Sequence, residues 1–141
     1  MKLLTKDTDY AVRALIVLGM DADKFISAKK IAEVENIPYQ FLRRILQKLI
    51  QNNLIESKEG VSGGVHIIKD PAKIHVLDII KVFQGDLELS DCMFKKKSCP
   101  NRETCVLRPE IKNIEDIVSL EFEKIIIAKL IGTVAKCQKN F

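Results

Sequence analysis

The succession of apolar and polar positions divides the chain into helices, one hairpin and a polar loop. From Thr5 to Met20, Tyr10, Ala14, Leu15 and Leu18 recur at helical spacing, and Asp7 and Asp9 stand in the first turn, where the helix dipole favours acids. Asp21 to Lys24 reads as a turn. Ser27 is placed to cap a short helix, Ala28 to Glu35, with Ile31, Ala32 and Val34 on its inner face. The chain breaks at Asn36-Ile37, and Pro38 suits the first position of a new helix, where a missing N–H costs nothing. That helix runs to about Asn52 and is expected to bury Phe41, Leu42, Ile45, Leu46 and Leu49. Two helices joined by a short turn make a helix-turn-helix.

Leu54 to Ser57 predicts a strand, Lys58 to Gly64 a glycine-rich turn, and Val65 to Ile68 a second strand. A hairpin directly after a recognition helix is a wing. Asp70-Pro71 ends it, and Ile74 to Phe83 forms a further amphipathic helix, with His75 near its N-cap and Gly85 as its stop. From Arg108 to about Lys136 the apolar residues Ile111, Ile114, Val118, Phe122, Ile125, Ile126, Leu130 and Val134 predict one continuous helix, about eight turns at ~3.6 residues each. A stripe that long needs a partner, and a second copy of the chain is the simplest. The fold expected is mainly α with a small β-hairpin. Residues 1–84 form a winged helix-turn-helix DNA-binding domain, 85–107 a cysteine-bearing loop and 108–141 a dimerisation helix.

Composition narrows the class. Of 141 residues, 47% are apolar and 30% charged, which suits a globular protein with a real core. No run approaches ~20 uncharged apolar residues, so no membrane span is expected. The N-terminus lacks a signal peptide's apolar stretch, and a cytoplasmic location follows. In that reducing compartment the cysteines are free thiols or ligands rather than disulfides. A net charge of +4 permits nucleic-acid binding without requiring it.

The position of the charge is more telling. Pro38 to Gln51 holds Arg43, Arg44 and Lys48 and no acid, and its outer face offers Gln40, Arg43, Arg44, Gln47 and Gln51. Arginine reads guanine bidentately and glutamine reads adenine. Tyr39 stands where it reaches a phosphate or a thymine methyl. In the wing, Lys58 and the backbone at Gly63 and Gly64 suit phosphate or minor-groove contact, while His66 reads as a half-exposed strand residue. A solvated helix face is the plain alternative; the capped turn before it and the wing after it favour double-stranded DNA. A dimer of such modules binds a roughly palindromic operator.

Cys92, Cys99 and Cys105 fall within fourteen positions, separated by six and five residues. Structural zinc sites favour shorter knuckles; this spacing leaves a wide loop able to wrap an iron–sulfur cluster. Lys95, Lys96, Lys97 and Arg102 would offset an anionic site, although solvation accounts for any one of them. Cys137 lies apart and reads as a packing thiol. The loop holds no fourth ligand, and neither His66 nor His75 is close to it in sequence.

These residues together resemble the Rrf2 family of bacterial winged-helix regulators. The resemblance spans nearly the whole chain: Thr8 to Leu15, Ile37-Pro38-Tyr39, Leu54 to Ser57, Gly60 to Gly64 with Asp70-Pro71, Leu77 to Ile80, and the three cysteines. It implies a homodimer held by the C-terminal helices, with the cysteines binding a cluster near the interface. In IscR-like members a histidine shortly after the third cysteine completes the cluster, whereas here Arg108 follows Cys105-Val106-Leu107 and cannot ligate. In NsrR-like members an aspartate of the first helix, from the other subunit, completes a 4Fe–4S cluster, and Asp9 stands at the matching position. The expected ligands are therefore Cys92, Cys99, Cys105 and Asp9 of the partner subunit, with 4Fe–4S favoured and 2Fe–2S possible. Two further departures bear on DNA. The wing reads Gly63-Gly64-Val65-His66 where members usually carry a third glycine and a tyrosine, and Arg43 replaces an acid that discriminates between targets in IscR-like members.

The function implied is a homodimeric regulator, a repressor in the first instance, that senses nitric oxide, redox state or iron–sulfur status. The alternatives are a thiol- or zinc-based redox regulator and a cysteine-metabolism repressor controlled by a protein partner. No nucleophile–base pair, phosphate-binding loop or paired carboxylates argue for an enzyme.

Overall fold

The computed structural model describes residues 2–89, 99–101 and 103–139. Six helices and one hairpin follow in order: α1 (Lys6–Met20), α2 (Ala28–Glu35), α3 (Tyr39–Gln51), β1 (Ile55–Lys58), β2 (Gly64–Ile67), a 3-10 turn (Pro71–Lys73), α4 (Val76–Gln84), α5 (Leu107–Glu123) and α6 (Ile127–Lys139). The mainly helical, winged architecture is the one the sequence predicts.

Local chemistry sets the boundaries. The Thr5 hydroxyl accepts from the Thr8 N–H and caps α1, and the Ser27 hydroxyl accepts from the Lys30 N–H at 3.1 Å and caps α2. Asn36 ends α2 in the left-handed region, at φ 53°. Pro38 lies just outside α3 with an extended ψ of 127°, so it is the cap residue rather than the first helical one. Leu42, Ile45, Leu46 and Leu49 face inward from α3. They meet Ala14, Leu15 and Leu18 of α1 and Ile79 and Ile80 of α4 in one core. Each such side chain contributes ~1.5–3 kcal/mol by leaving water.

The wing is antiparallel, with Ile55 opposite Ile67, Glu56 opposite His66, Ser57 opposite Val65 and Lys58 opposite Gly64. A third paired segment was not expected. Ile26, before α2, exchanges backbone hydrogen bonds with Val65 at 2.9 and 2.8 Å and so fastens the wing to the helix-turn-helix. Gly64 permits this approach: its φ is +149°, and a Cβ there would collide with the Ile26 carbonyl.

Three further expectations require correction. Phe41 is not a core residue but 47% exposed, because it lies about 90° around α3 from the centre of the buried face. Val34 is exposed as well. The third correction is the larger one: the apolar repeat from Ile111 to Val134 is carried by two helices, not one. Ile126 forms a β-bridge with His75, in which the Val76 N–H donates to the Ile125 carbonyl at 2.8 Å and the Ile127 N–H to the Ile74 carbonyl at 2.9 Å. Backbone groups that a continuous helix would use internally are thereby taken by the lead-in to α4. His75 Nδ1 lies 2.6 Å from the Glu123 carbonyl, so the ring carries its proton on Nδ1 and donates it there. α6 then folds back along α1, where the Ile131 side chain sits so close to Gly19 that a Cβ at that position would displace it. Ile127 is fully buried. No residue of α5 is buried, and Ile114, Ile117 and Leu120 are 49–56% exposed.

Candidate nucleic-acid interface and cysteine site

The outer face of α3 carries what the sequence assigns to it: Gln40, Arg43, Arg44, Gln47, Lys48 and Gln51 are all exposed, and Tyr39 is 45% exposed. Aromatic rings organise the cations. The Arg43 guanidinium stands 5.9 Å from the Tyr39 ring centre and that of Arg44 4.9 Å from Phe41, both within cation–π range. Lys48 behaves differently from its neighbours. Its ammonium lies 5.1 Å from the ring of Phe83 on α4, so this predicted DNA contact is also a link between α3 and α4.

The wing brings Lys58, at the end of β1, opposite Gly64, and its ammonium lies 5.7 Å from the Phe25 ring. Phe25 in turn stacks on His66, with ring centres 5.0 Å apart. Glu56 Oε1 comes within 3.3 Å of His66 Nδ1 but outside hydrogen-bonding alignment, so this contact is a proximity of charge acceptor and ring rather than a formed bond. The Gly63 N–H donates to the Gly60 carbonyl at 3.1 Å, and a Cβ at Gly63 would strike the Lys58 carbonyl. The two glycines therefore allow a tight turn that holds Lys58 at the tip of the hairpin.

Asp9 stands near the start of α1. Its carboxylate accepts from Arg13 Nε at 2.9 Å, and Arg13 reaches on to Glu35 at the end of α2, at 3.6 Å. Asp9, first through that hydrogen bond and then through its charge, raises the Arg13 pKa above its ordinary value, with a smaller contribution from Glu35. One turn before Asp9 a denser knot forms. Gln84, the last residue of α4, accepts through Oε1 from the fully buried Thr8 hydroxyl at 2.6 Å and from the Thr5 N–H at 3.0 Å. Its Nε2 donates to the Leu3 carbonyl at 3.1 Å. The residue that follows is Gly85, where the cysteine-bearing segment begins.

Within that segment Cys99 and Cys105 are free, half-buried thiols. A turn joins them, closed by the Thr104 N–H donating to the Asn101 carbonyl at 3.2 Å. Both suit thiolate ligation. Cys92, together with Lys95, Lys96, Lys97 and Arg102, lies outside the described residues. Among the described residues no three His, Cys, Asp or Glu side chains converge on one point, and Asp9 engages Arg13 of its own chain. Cys137 is exposed rather than packed. Phe25, Phe41, Phe83 and Gln84 were not singled out from sequence as functional. Only Gln84 carries a signal, its position directly before a helix-stopping glycine.

A scan of protein families matches residues 4–133 to the Rrf2 model, described as an iron-dependent transcriptional regulator. The chain is 34% identical over 109 residues to an HTH-type transcriptional regulator NsrR of Shouchella clausii, covering 75% of this chain and 68% of that one. It is 25% identical over 131 residues to the HTH-type transcriptional repressor NsrR of Streptomyces coelicolor, covering 92% and 88%. Among solved structures, T. potens IscR superposes with a TM-score of 0.78 at 22% identity, covering 98% of this chain and 91% of that one. CymR of B. subtilis, a global cysteine regulator, superposes with a TM-score of 0.77 at 21% identity, covering 94% and 98%. No described helix is long and apolar enough to cross a membrane.

Proposed function

The chain belongs to the Rrf2 family of transcriptional regulators, DNA-binding proteins and not enzymes, and from that premise we propose that it is a homodimeric repressor governed by an iron–sulfur cluster. The observation that carries this reading is the pair of half-buried free thiols, Cys99 and Cys105, in a segment whose first residue follows the Gln84 knot beside Asp9. Cys92, Cys99 and Cys105 would hold the cluster, with Asp9 of the partner subunit as fourth ligand. When bound, the cluster supplies a group sensitive to nitric oxide, oxidation and iron supply. The exposed stripe of Ile114, Ile117 and Leu120 on α5 supports the dimer, because a second copy would cover it.

The chain's own residues supply the coupling. Gln84 ties the start of the cysteine segment to the N-terminus of α1, and Phe83 ties it to Lys48 on the recognition helix. A shift of the segment therefore pulls on two elements of the reading head at once. Recruiting Asp9 to the partner would also take it from Arg13, and with it one end of the link to Glu35 on α2. Coupling of ~1–3 kcal/mol through such contacts changes DNA affinity five- to 150-fold.

The test is anaerobic purification followed by an absorption spectrum with iron and sulfide analysis, repeated on Cys92→Ala and Asp9→Ala. A brown protein with matched iron and sulfide, bleached in Cys92→Ala, is the expected result. A colourless, iron-free protein that resists reconstitution would leave the thiol- or zinc-based alternative. An unchanged cluster and nitric oxide response in Asp9→Ala would remove Asp9 alone.

A further inference from the structure

We propose that Phe41 reads DNA: its ring meets a thymine C5-methyl in the major groove, while Arg44, in cation–π contact with that ring, hydrogen-bonds the adjoining guanine. The inference rests on the family's DNA binding and not on the cluster. Phe41 falls in the first turn of α3, and the N-terminal residues of a recognition helix are those that approach base edges. Its flank of the helix is covered only in part. Lys48, seven residues on and on nearly the same side, is covered by Phe83 of α4, whereas Phe41 stays 47% exposed.

A phenyl ring left about half in water on the face that meets DNA gains from an apolar contact, and the thymine methyl is the apolar group of the major groove. Arg44 lies 4.9 Å from that ring, three residues on and therefore adjacent on the helix surface. A cation–π contact needs no hydrogen bond from the guanidinium, so its N–H groups stay available to the O6 and N7 of a guanine. Adjacent bases are about 3.4 Å apart along a strand, so a ring and a guanidinium in contact address neighbouring base pairs. Phe41 thus has two effects, holding Arg44 beside it and selecting the base next to the guanine.

The experiment uses the full-length protein and the duplex that it selects from a random library. Each thymine is replaced in turn by deoxyuridine, which removes only the methyl. The wild type is expected to bind about fourfold more weakly at one thymine per half-site, next to a guanine, the equilibrium equivalent of ~0.8 kcal/mol for one buried carbon. Phe41→Ala and Phe41→Gln, both changes at an exposed position, are expected to bind the thymine and uracil duplexes equally. If either folded variant keeps the thymine preference, or the wild type shows none at any position, Phe41 reads no methyl. If the library yields no sequence at all, base reading by α3 fails as a whole, an outcome distinct from the loss of one contact.

Discussion

The reading head and α5 present similar amphipathic patterns, yet one closes on itself and the other stays open. In the head, α1, α3 and α4 turn their apolar sides toward one another, and Ala11, Ala14, Leu15, Leu18, Leu42, Leu49, Ile79 and Ile80 are all fully buried. In α5, seventeen residues long, none is buried, and Ile114, Ile117 and Leu120 stand exposed on one side. An amphipathic repeat states which face needs covering; it does not state what covers it. For α1 the cover comes from the same chain, α6 included. For α5 the chain supplies only part of it, such as the backbone at Leu89, whose N–H donates to the Glu115 carboxylate of α5 at 2.8 Å.

The contrast can be attacked from the open side first. Ile117→Glu combined with Leu120→Glu is expected to give a monomer by sedimentation equilibrium and to weaken operator binding about 10²–10⁴-fold, the loss of linkage between half-sites. A variant that still sediments as a dimer would mean that another surface holds the copies together. From the closed side, Leu42→Ala should cost ~2–5 kcal/mol in urea unfolding, the usual range for a fully buried leucine. Ile114→Ala, assayed at the dilution where the chain is monomeric, should barely move the same midpoint.

At the seam between the two regions, Gln84→Ala removes the contacts to Thr8, Thr5 and Leu3 and should lower stability by ~1–3 kcal/mol. If the seam transmits the signal, this variant will also bind DNA alike with and without the cluster. The smallest effect belongs to the surface of α5. Lys112 pairs with Asp116 at 2.9 Å, and that hydrogen bond and charge raise its pKa, yet both side chains are exposed and the pair is screened. Lys112→Gln should leave the unfolding midpoint unchanged, and a clear loss would show that a second copy buries this edge.

Most of the head was legible because its signals are local. Ser27 as a cap, Asn36 as a left-handed stop, Gly85 after α4 and the glycine-rich turn of the wing act through nearest neighbours. The exposed face of α3 followed from its periodicity. The misplacement of Phe41 has the same origin: a hydrophobic residue one step from Leu42 reads as core unless its angle around the helix is counted. The break at Ile126 was not legible, since it depends on a bridge to His75 about fifty residues earlier. Phe83 and Gln84 touch the proposed site only through Lys48 and Thr8, partners that periodicity does not reveal. The cysteines were found by spacing alone, and for Cys99 and Cys105 the structure adds their exposure, free state and shared turn.

The folding back of α6 onto α1 has a consequence for the order in which the chain is made. Ile127, fully buried, and Ile131, pressed against Gly19, belong to the same core as the first helix. During synthesis, at ~5–20 residues per second, the recognition helix and wing emerge several seconds before these last pieces. A nascent chain can therefore form its helix-turn-helix early but cannot finish its core until the cysteines have left the ribosome. The cysteine-bearing segment is therefore made before the core of the reading head can close, and a head with its full core always carries that segment with it.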